Sequence, residues 1–423
     1  MEEIKFLFIK RKLKNHMILF LLFFLTLFFI IVIKFWVIIM IIENSTKTLY
    51  EKLDRCIRSL GSISSVEEIV AVNNYIFNLY DAIESMGGNN RKYDNGLIYS
   101  HIKSPRNYRK KIDIYEKGLL EDYIRNQDFH KEFIDKIYSY CEEIVDNIYG
   151  DCDSNLTVLS HEDFEIIFYD FLSKYHLEDF FKTFFLDKPI YNNIYSGEDP
   201  LKGFSTYNPI IKDCDVFINN FDYTLPSLFS LVHECGHAYD LLNFNDDIKA
   251  FNVYFYTTFY NEVISKLFEK LFIYYLIDNG ILTDEAKRLL ECNIIDNYDF
   301  LVSSYILSLF DDETLLSKKF KTMSDDQIFN VVGKKFSNED DIKYFLSDFD
   351  VYNFYEPFNY TYGDIISMFL TDIVKEDGFS NEVLKEFMDI RGKLFDIHFF
   401  DKNDFCADKY IKLLEKQYKL TKK

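Results

Sequence analysis

The stretch Leu231-Val232-His233-Glu234-Cys235-Gly236-His237-Ala238 holds two histidines four residues apart, with a glutamate directly after the first. On an α-helix, positions i and i+4 lie one turn apart on one face, so two imidazoles there can share a single metal ion. Zinc suits this donor set, and Glu234 stands beside the pair, placed to take a proton from the attacking water. With 8 His in 423 residues, composition alone produces such a motif on the order of one time in a hundred. The bland alternative is two surface histidines on a helix, and a third donor weakens it. Glu262 follows His233 by 29 residues, in FYNEVISKLFEKLF. The loop-like NFNDDIK stretch between them lets a second apolar helix fold back on the first. Glu262 then completes a His2Glu set around one zinc ion, with a position left for water. Read alone, Glu262 is one acid among many; the spacing and the apolar helix around it give it weight.

The elements that must position these groups are also legible. Thr224 can cap the motif helix and Pro226 sits in its first turn, a pairing typical of helix starts. Gly236, inside that helix, costs about 1 kcal/mol against alanine and so implies close backbone packing behind the metal. Four of the six prolines (Pro189, Pro200, Pro209, Pro226) fall just before the motif. Within that patch GFSTYNPII and DVFINNF have the aromatic and β-branched character of strands, and Gly203–Thr206 and Val216–Asn219 are candidate edges for a substrate backbone. Elsewhere breakers are scarce: Gly and Pro total 20 residues, under 5% of the chain, which excludes turn-dense β folds and flexible linkers. VEEIVAVNNYIFNLYDAIESM and FHKEFIDKIYSYCEEIVDNIY repeat apolar residues at helical spacing, while 86–90 and the surroundings of Pro105 read as loops. The expected fold is mainly α with a small β patch before the HExxH helix. Its regions are 1–44, a helical part 45–195 and a catalytic part 196–423.

Residues 17–42 form an apolar run broken only by Lys34, long enough to span a bilayer, for which about 20 residues suffice. Five basic residues precede the run and Glu43 follows it. The positive-inside rule then sets the N-terminus in the cytoplasm and the body outside, as a single-pass anchor. The competing reading is a cleaved signal peptide, but the run is long for one and no small-x-small site follows. Beyond residue 44 the body has 42 basic and 66 acidic residues, a net charge of −24. The aromatic content of 18% argues against disorder, and the acidity argues against a nucleic-acid partner. Seven scattered cysteines without CxxC show no disulfide framework and read as mostly free, buried thiols.

HECGHAYD followed by NEVIS resembles the M3 family of zinc metallopeptidases, particularly its oligoendopeptidase F branch. The similarity extends upstream through GFSTY and DVFINNFDYTLPSLFSLV and downstream to EPFNYTYGDIISM, over about residues 200–375. The resemblance implies a zincin-type helical enclosure around a deep cleft, one zinc ion, and endopeptidase action on short peptides. His233, His237 and Glu262 would be ligands, and Glu234 general base and then proton donor to the leaving amine. Tyr360, through Tyr360-x-x-Gly363, matches the tyrosine that hydrogen-bonds the oxyanion, with Tyr352, Tyr355 and Tyr362 as competitors and a core aromatic as the bland reading. Ser265 is a candidate for orienting a ligand.

Two departures stand out. Family members carry a histidine shortly before the tyrosine-rich segment, but LSDFDVYNFYEPF has none, only Asp350 and Tyr352 nearby. Losing one such donor costs about 10²–10³ in rate. The chain is also shorter than typical members, which implies a reduced roof over the cleft. The missing histidine supports the alternative of a catalytically weak or inactive peptide-binding or scaffold protein. A multi-span membrane protease with the same motif fits poorly, since only one apolar span is present, far from the motif.

Overall fold

The computed structural model describes residues 49–60, 63–85, 121–148, 157–181, 191–193, 203–244, 247–310, 324–332 and 356–422, less single positions within these spans, with isolated positions between 111 and 118. The apolar run 17–42, the expected loops at 86–90 and Pro105, and Asp350, Tyr352 and Tyr355 lie outside the described residues. Among those described, no helix is long and apolar enough to cross a membrane.

The fold is mainly helical with one small sheet. Helix α1 covers 49–60, α2 Val66–Ser85, α3 Gln127–Val145 and α4 His161–Lys174. Three strands follow, β1 Tyr191–Asn193, β2 Gly203–Asn208 and β3 Asp213–Asn219. Then come α5 Leu225–Leu242, α6 Ile248–Thr257, α7 Val263–Asp278, α8 Thr283–Ser308 and α9 Asp325–Val332. The chain ends with α10 Glu356–Asp377, α11 Glu382–Ile390, α12 Ile397–Lys402 and α13 Ala407–Thr421. The two helical repeats read from the sequence are α2 and α3. In α3, Phe133, Ile134, Ile137, Tyr138, Cys141 and Ile144 form one buried stripe, in which each isoleucine or phenylalanine contributes roughly 1.5–3 kcal/mol when fully buried.

Both expected strands form, as a hairpin. Phe204 pairs with Phe217 and Ser205 with Val216, antiparallel. Pro209 ends β2, and the Asn208 side chain accepts from the Ile210 amide at 3.1 Å to start the turn. β1 adds a parallel partner to β3, giving the order β1-β3-β2. One expectation is thereby corrected. Val216–Asn219 offers no substrate edge, because β3 is the central strand; the edge strands are β2 and the short β1. The sheet separates two layers. Val216 and Ile218 join the main core with α5, whereas Phe217 joins a smaller core built from α1 and α2. Asp215, fully buried on that second face, pairs with Lys52 and accepts from Tyr75 Oη at 3.1 Å.

α7 is the axis of the main core. Every residue from Val263 to Leu276 is buried, as expected of a helix surrounded on all sides; α5, α8 and α10 pack around it. The main core also includes α3, α4 and α13, so residues before and after 195 share it. Cys56, Cys141, Cys214 and Cys235 are free and buried, and Cys406 is free and exposed. Cys292 is disulfide-bonded, an exception to the expectation of free thiols.

Candidate metal centre

Helix α5 starts where its sequence places it: Thr224 caps it by accepting from the Ser227 amide, with Pro226 in the first turn. Asp222 supports this cap, its Oδ1 accepting from Thr224 Oγ1 at 2.6 Å and from the Thr224 amide at 3.1 Å. The two histidines project from the next turns. His233 Nε2 and His237 Nε2 stand 3.1 Å apart, and Glu262 Oε2 is 3.5 Å from each. Ligands on zinc at about 2.0–2.2 Å bond lengths are roughly 3.3–3.6 Å apart in a tetrahedron, so this triangle fits the ion. Among the described residues no other group of three His, Cys, Asp or Glu side chains could hold a metal.

Electrostatics give the same reading. Burial alone would lower His237, yet Glu262, with Glu234 and Asp240, raises it to about 9. Burial alone would raise the Glu262 carboxyl, yet His237, His233 and Lys266 bring it down to about 2. Two facing imidazole nitrogens beside a carboxylate thus hold positive charge between them, as a proton when no metal is bound. A divalent cation of the right radius satisfies all three donors at once.

Glu262 arrives differently from the expected mid-helix position. A further helix, α6, lies between the NFNDDIK stretch and Glu262, and Glu262 immediately precedes α7 with φ −89° and ψ −5°. Its amide is accepted by Asn359 Oδ1 at 3.3 Å, and Ser265 Oγ donates to its Oε2 at 3.0 Å. Two glycines permit this approach. A Cβ at Gly236 would lie 2.6 Å from Ser265 Cα, and one at Gly363 would lie 2.6 Å from Glu262 Cβ. α5 and α10 therefore close on the start of α7 from both sides.

Glu234 is buried against the hairpin. Ser205 Oγ lies 2.9 Å from its Oε2, while Oε1 faces the ligands, 4.0 Å from His233 Nε2. Burial raises its carboxyl above the usual range, partly offset by the two histidines and Ser205, which suits a group that must take up a proton. Tyr360 is half-buried on α10, its ring stacked on Phe300 at 4.2 Å and 5.8 Å from Lys266 Nζ. Its competitor Tyr362 is fully buried, its hydroxyl 2.5 Å from His130 Nδ1, and is therefore committed elsewhere.

Sequence reading missed the outer ring of supports. Glu269 Oε1 accepts from His233 Nδ1 at 2.6 Å, which fixes the ring and leaves Nε2 for a metal. A signal existed, since Glu269 lies two helical turns after Glu262. Asp240, three residues after His237, is fully buried; it is paired with Arg391 Nε at 2.7 Å and accepts from Tyr254 Oη at 2.6 Å. Ser205, 29 residues from Glu234, left no signal.

No protein-family model and no curated protein sequence matches the chain. Solved structures do. PZ peptidase A with an inhibitor aligns over 84% of this chain and 66% of its own length, at 11% identity and a TM-score of 0.41. A protein from Bacillus anthracis str. Ames described as an oligoendopeptidase F aligns over 88% and 74%, at 13% and 0.37. A Pyrococcus furiosus carboxypeptidase aligns over 81% and 87%, at 15% and 0.26. The chain thus spans about two-thirds of the length of the first. At these values the function must be argued from the site itself.

Proposed function

We propose that this chain is a membrane-anchored zinc endopeptidase acting on short peptides. The observation that carries the reading is the triangle of His233 Nε2, His237 Nε2 and Glu262 Oε2 with edges of 3.1 and 3.5 Å, beside the buried carboxylate of Glu234. These three residues would hold one zinc ion, which supplies Lewis-acid polarisation of a carbonyl and acidifies water. Glu269 holds His233 in the tautomer that presents Nε2. Glu234 Oε1 takes the proton of the attacking water and returns it to the leaving amine nitrogen, while Ser205 keeps Oε2 turned away. Tyr360 is assigned as the hydroxyl donor to the developing oxyanion. The edge of β2 beside Glu234 is the place for a substrate backbone.

The body is assigned to the far side of a membrane crossed by residues 17–42. Cys292 in a disulfide supports an oxidising compartment. The alternative of a non-catalytic peptide binder rests on the missing histidine in LSDFDVYNFYEPF. One experiment separates the two: zinc analysis of the full-length chain with cleavage of mixed short peptides, against Glu234→Gln. One zinc per chain is expected in both proteins, with cleavage reduced about 10²–10⁴-fold in the variant. If both bind zinc and both are inactive, the peptidase reading falls and the binder stands.

A further inference from the structure

Lys266 is a buried cation one turn beyond Glu262. Its side chain is 7% exposed and its Nζ lies 3.2 Å from Glu269 Oε2. Asn293 Nδ2, from α8, donates to the same oxygen at 2.9 Å. The two carboxylate oxygens of Glu269 are thereby divided: Oε2 is taken by Lys266 and Asn293, and Oε1 is left for His233 Nδ1 at 2.6 Å. A carboxylate this deep needs a compensating charge, and a buried cation this long needs a fixed partner. Neither belongs to the set that would touch metal or peptide. On the other side of Lys266, the Tyr360 ring lies 5.8 Å from Nζ, within reach of a cation–π attraction. One ammonium thus stands between the support of a ligand histidine and the tyrosine of α10.

From this geometry we infer that Lys266 is a positioning residue for the candidate metal centre: its charge holds Glu269 so that Oε1 orients His233, and so tightens the grip on zinc. The inference rests on the zinc-site reading above. A purely structural lysine would contribute to folding without altering metal affinity once the chain is folded.

The test measures zinc dissociation constants of the full-length chain by chelator competition, with zinc alone as the probe. Lys266→Met raises the constant about 10–100-fold, the usual effect of losing an outer-ring partner, while Lys266→Arg stays within about threefold. In a Glu269→Gln background, Lys266→Met adds less than about twofold, because the two act through one bond. The inference is overturned if Lys266→Met binds zinc within about twofold of wild type, or if its effect is undiminished beside Glu269→Gln. Should Lys266→Met lose its helical circular dichroism, Lys266→Gln is measured instead; the role assigned is to the charge, so the constant must still rise at least about fivefold, and a smaller change overturns the inference. Wild-type chain that binds no zinc defeats the metal-site reading instead, a result separate from either of these.

Discussion

Two histidine environments flank α10, and they push the same side chain in opposite directions. Asn359 and Gly363 on this helix meet Glu262 at the candidate metal centre. Phe358 and Tyr362, on the neighbouring face, enclose His130. His237 is surrounded by carboxylates and is raised to about 9, against the effect of burial. His130 lies parallel to Tyr123 and Phe259, with ring centroids at 4.9 and 5.6 Å, and burial lowers it to about 3. The His237 side chain keeps 17% exposure and His130 has none, but it is the opposite neighbours that give one site that attracts a cation and one core that refuses it. Burial lowers both rings, and the charges within a few ångströms decide which of them is raised again.

The sharpest way to break this contrast is to remove a carboxylate from the first environment. Glu262→Gln should leave less than about a tenth of the zinc bound at equimolar metal, since ligand number and charge both fall; elemental analysis checks it. A less direct change acts through packing. Gly363→Ala drives a methyl to 2.6 Å from Glu262 Cβ, and overpacking of this kind costs about 1–3 kcal/mol. Both denaturant midpoint and zinc affinity should fall, and an unchanged zinc affinity would show that Glu262 is not held from α10.

The second environment is read through pH. His130 has a folded value near 3 and an unfolded value near the ordinary 6.5. Between these the unfolded chain binds a proton that the fold refuses, so stability is full above about pH 6.5 and falls as pH drops towards 3. From pH 7 to pH 5 the loss from this group is about 2 kcal/mol. Glu234, Asp122 and Asp240, raised by burial, work the other way, so the measurement is a difference: unfolding of His130→Phe should lose less stability over that interval than wild type. Parallel curves would remove His130 as the cause. The smallest effect belongs to exposed charge. Lys416 lies 3.0 Å from Asp372 with both exposed, and Lys416→Ala should shift stability by less than about 1 kcal/mol.

The contrast also explains what could be read in advance. The HExxH spacing and the Glu262 interval identify three donors because metal chemistry restricts residue type and helical geometry restricts spacing. Thr224, Pro226 and Gly236 were legible for similarly local reasons, and the hairpin through its strand composition. Lys266 was not, and the helical spacing that marks Glu269 gave it no partner, because a buried ion pair depends on what the tertiary fold packs around Val263–Leu276. The start of α7 was obscured because Phe259, Tyr260 and Val263 are all apolar and buried, so nothing in composition marks the break that frees Glu262. The engagement of Tyr362 by His130, more than 200 residues away in the chain, likewise left no local sign.

The ion pair of Lys52 with Asp215 sets a limit on how far the chain can be trimmed. α1 and α2 cover the face of the sheet opposite the motif helix, with Phe217 between them. A proteolytic product beginning after residue 60 would retain every candidate catalytic group, yet it would leave Asp215 with Tyr75 but without Lys52 and strip the α1 half of the small core around Phe217. A cut that keeps both faces of the sheet covered therefore falls before residue 49.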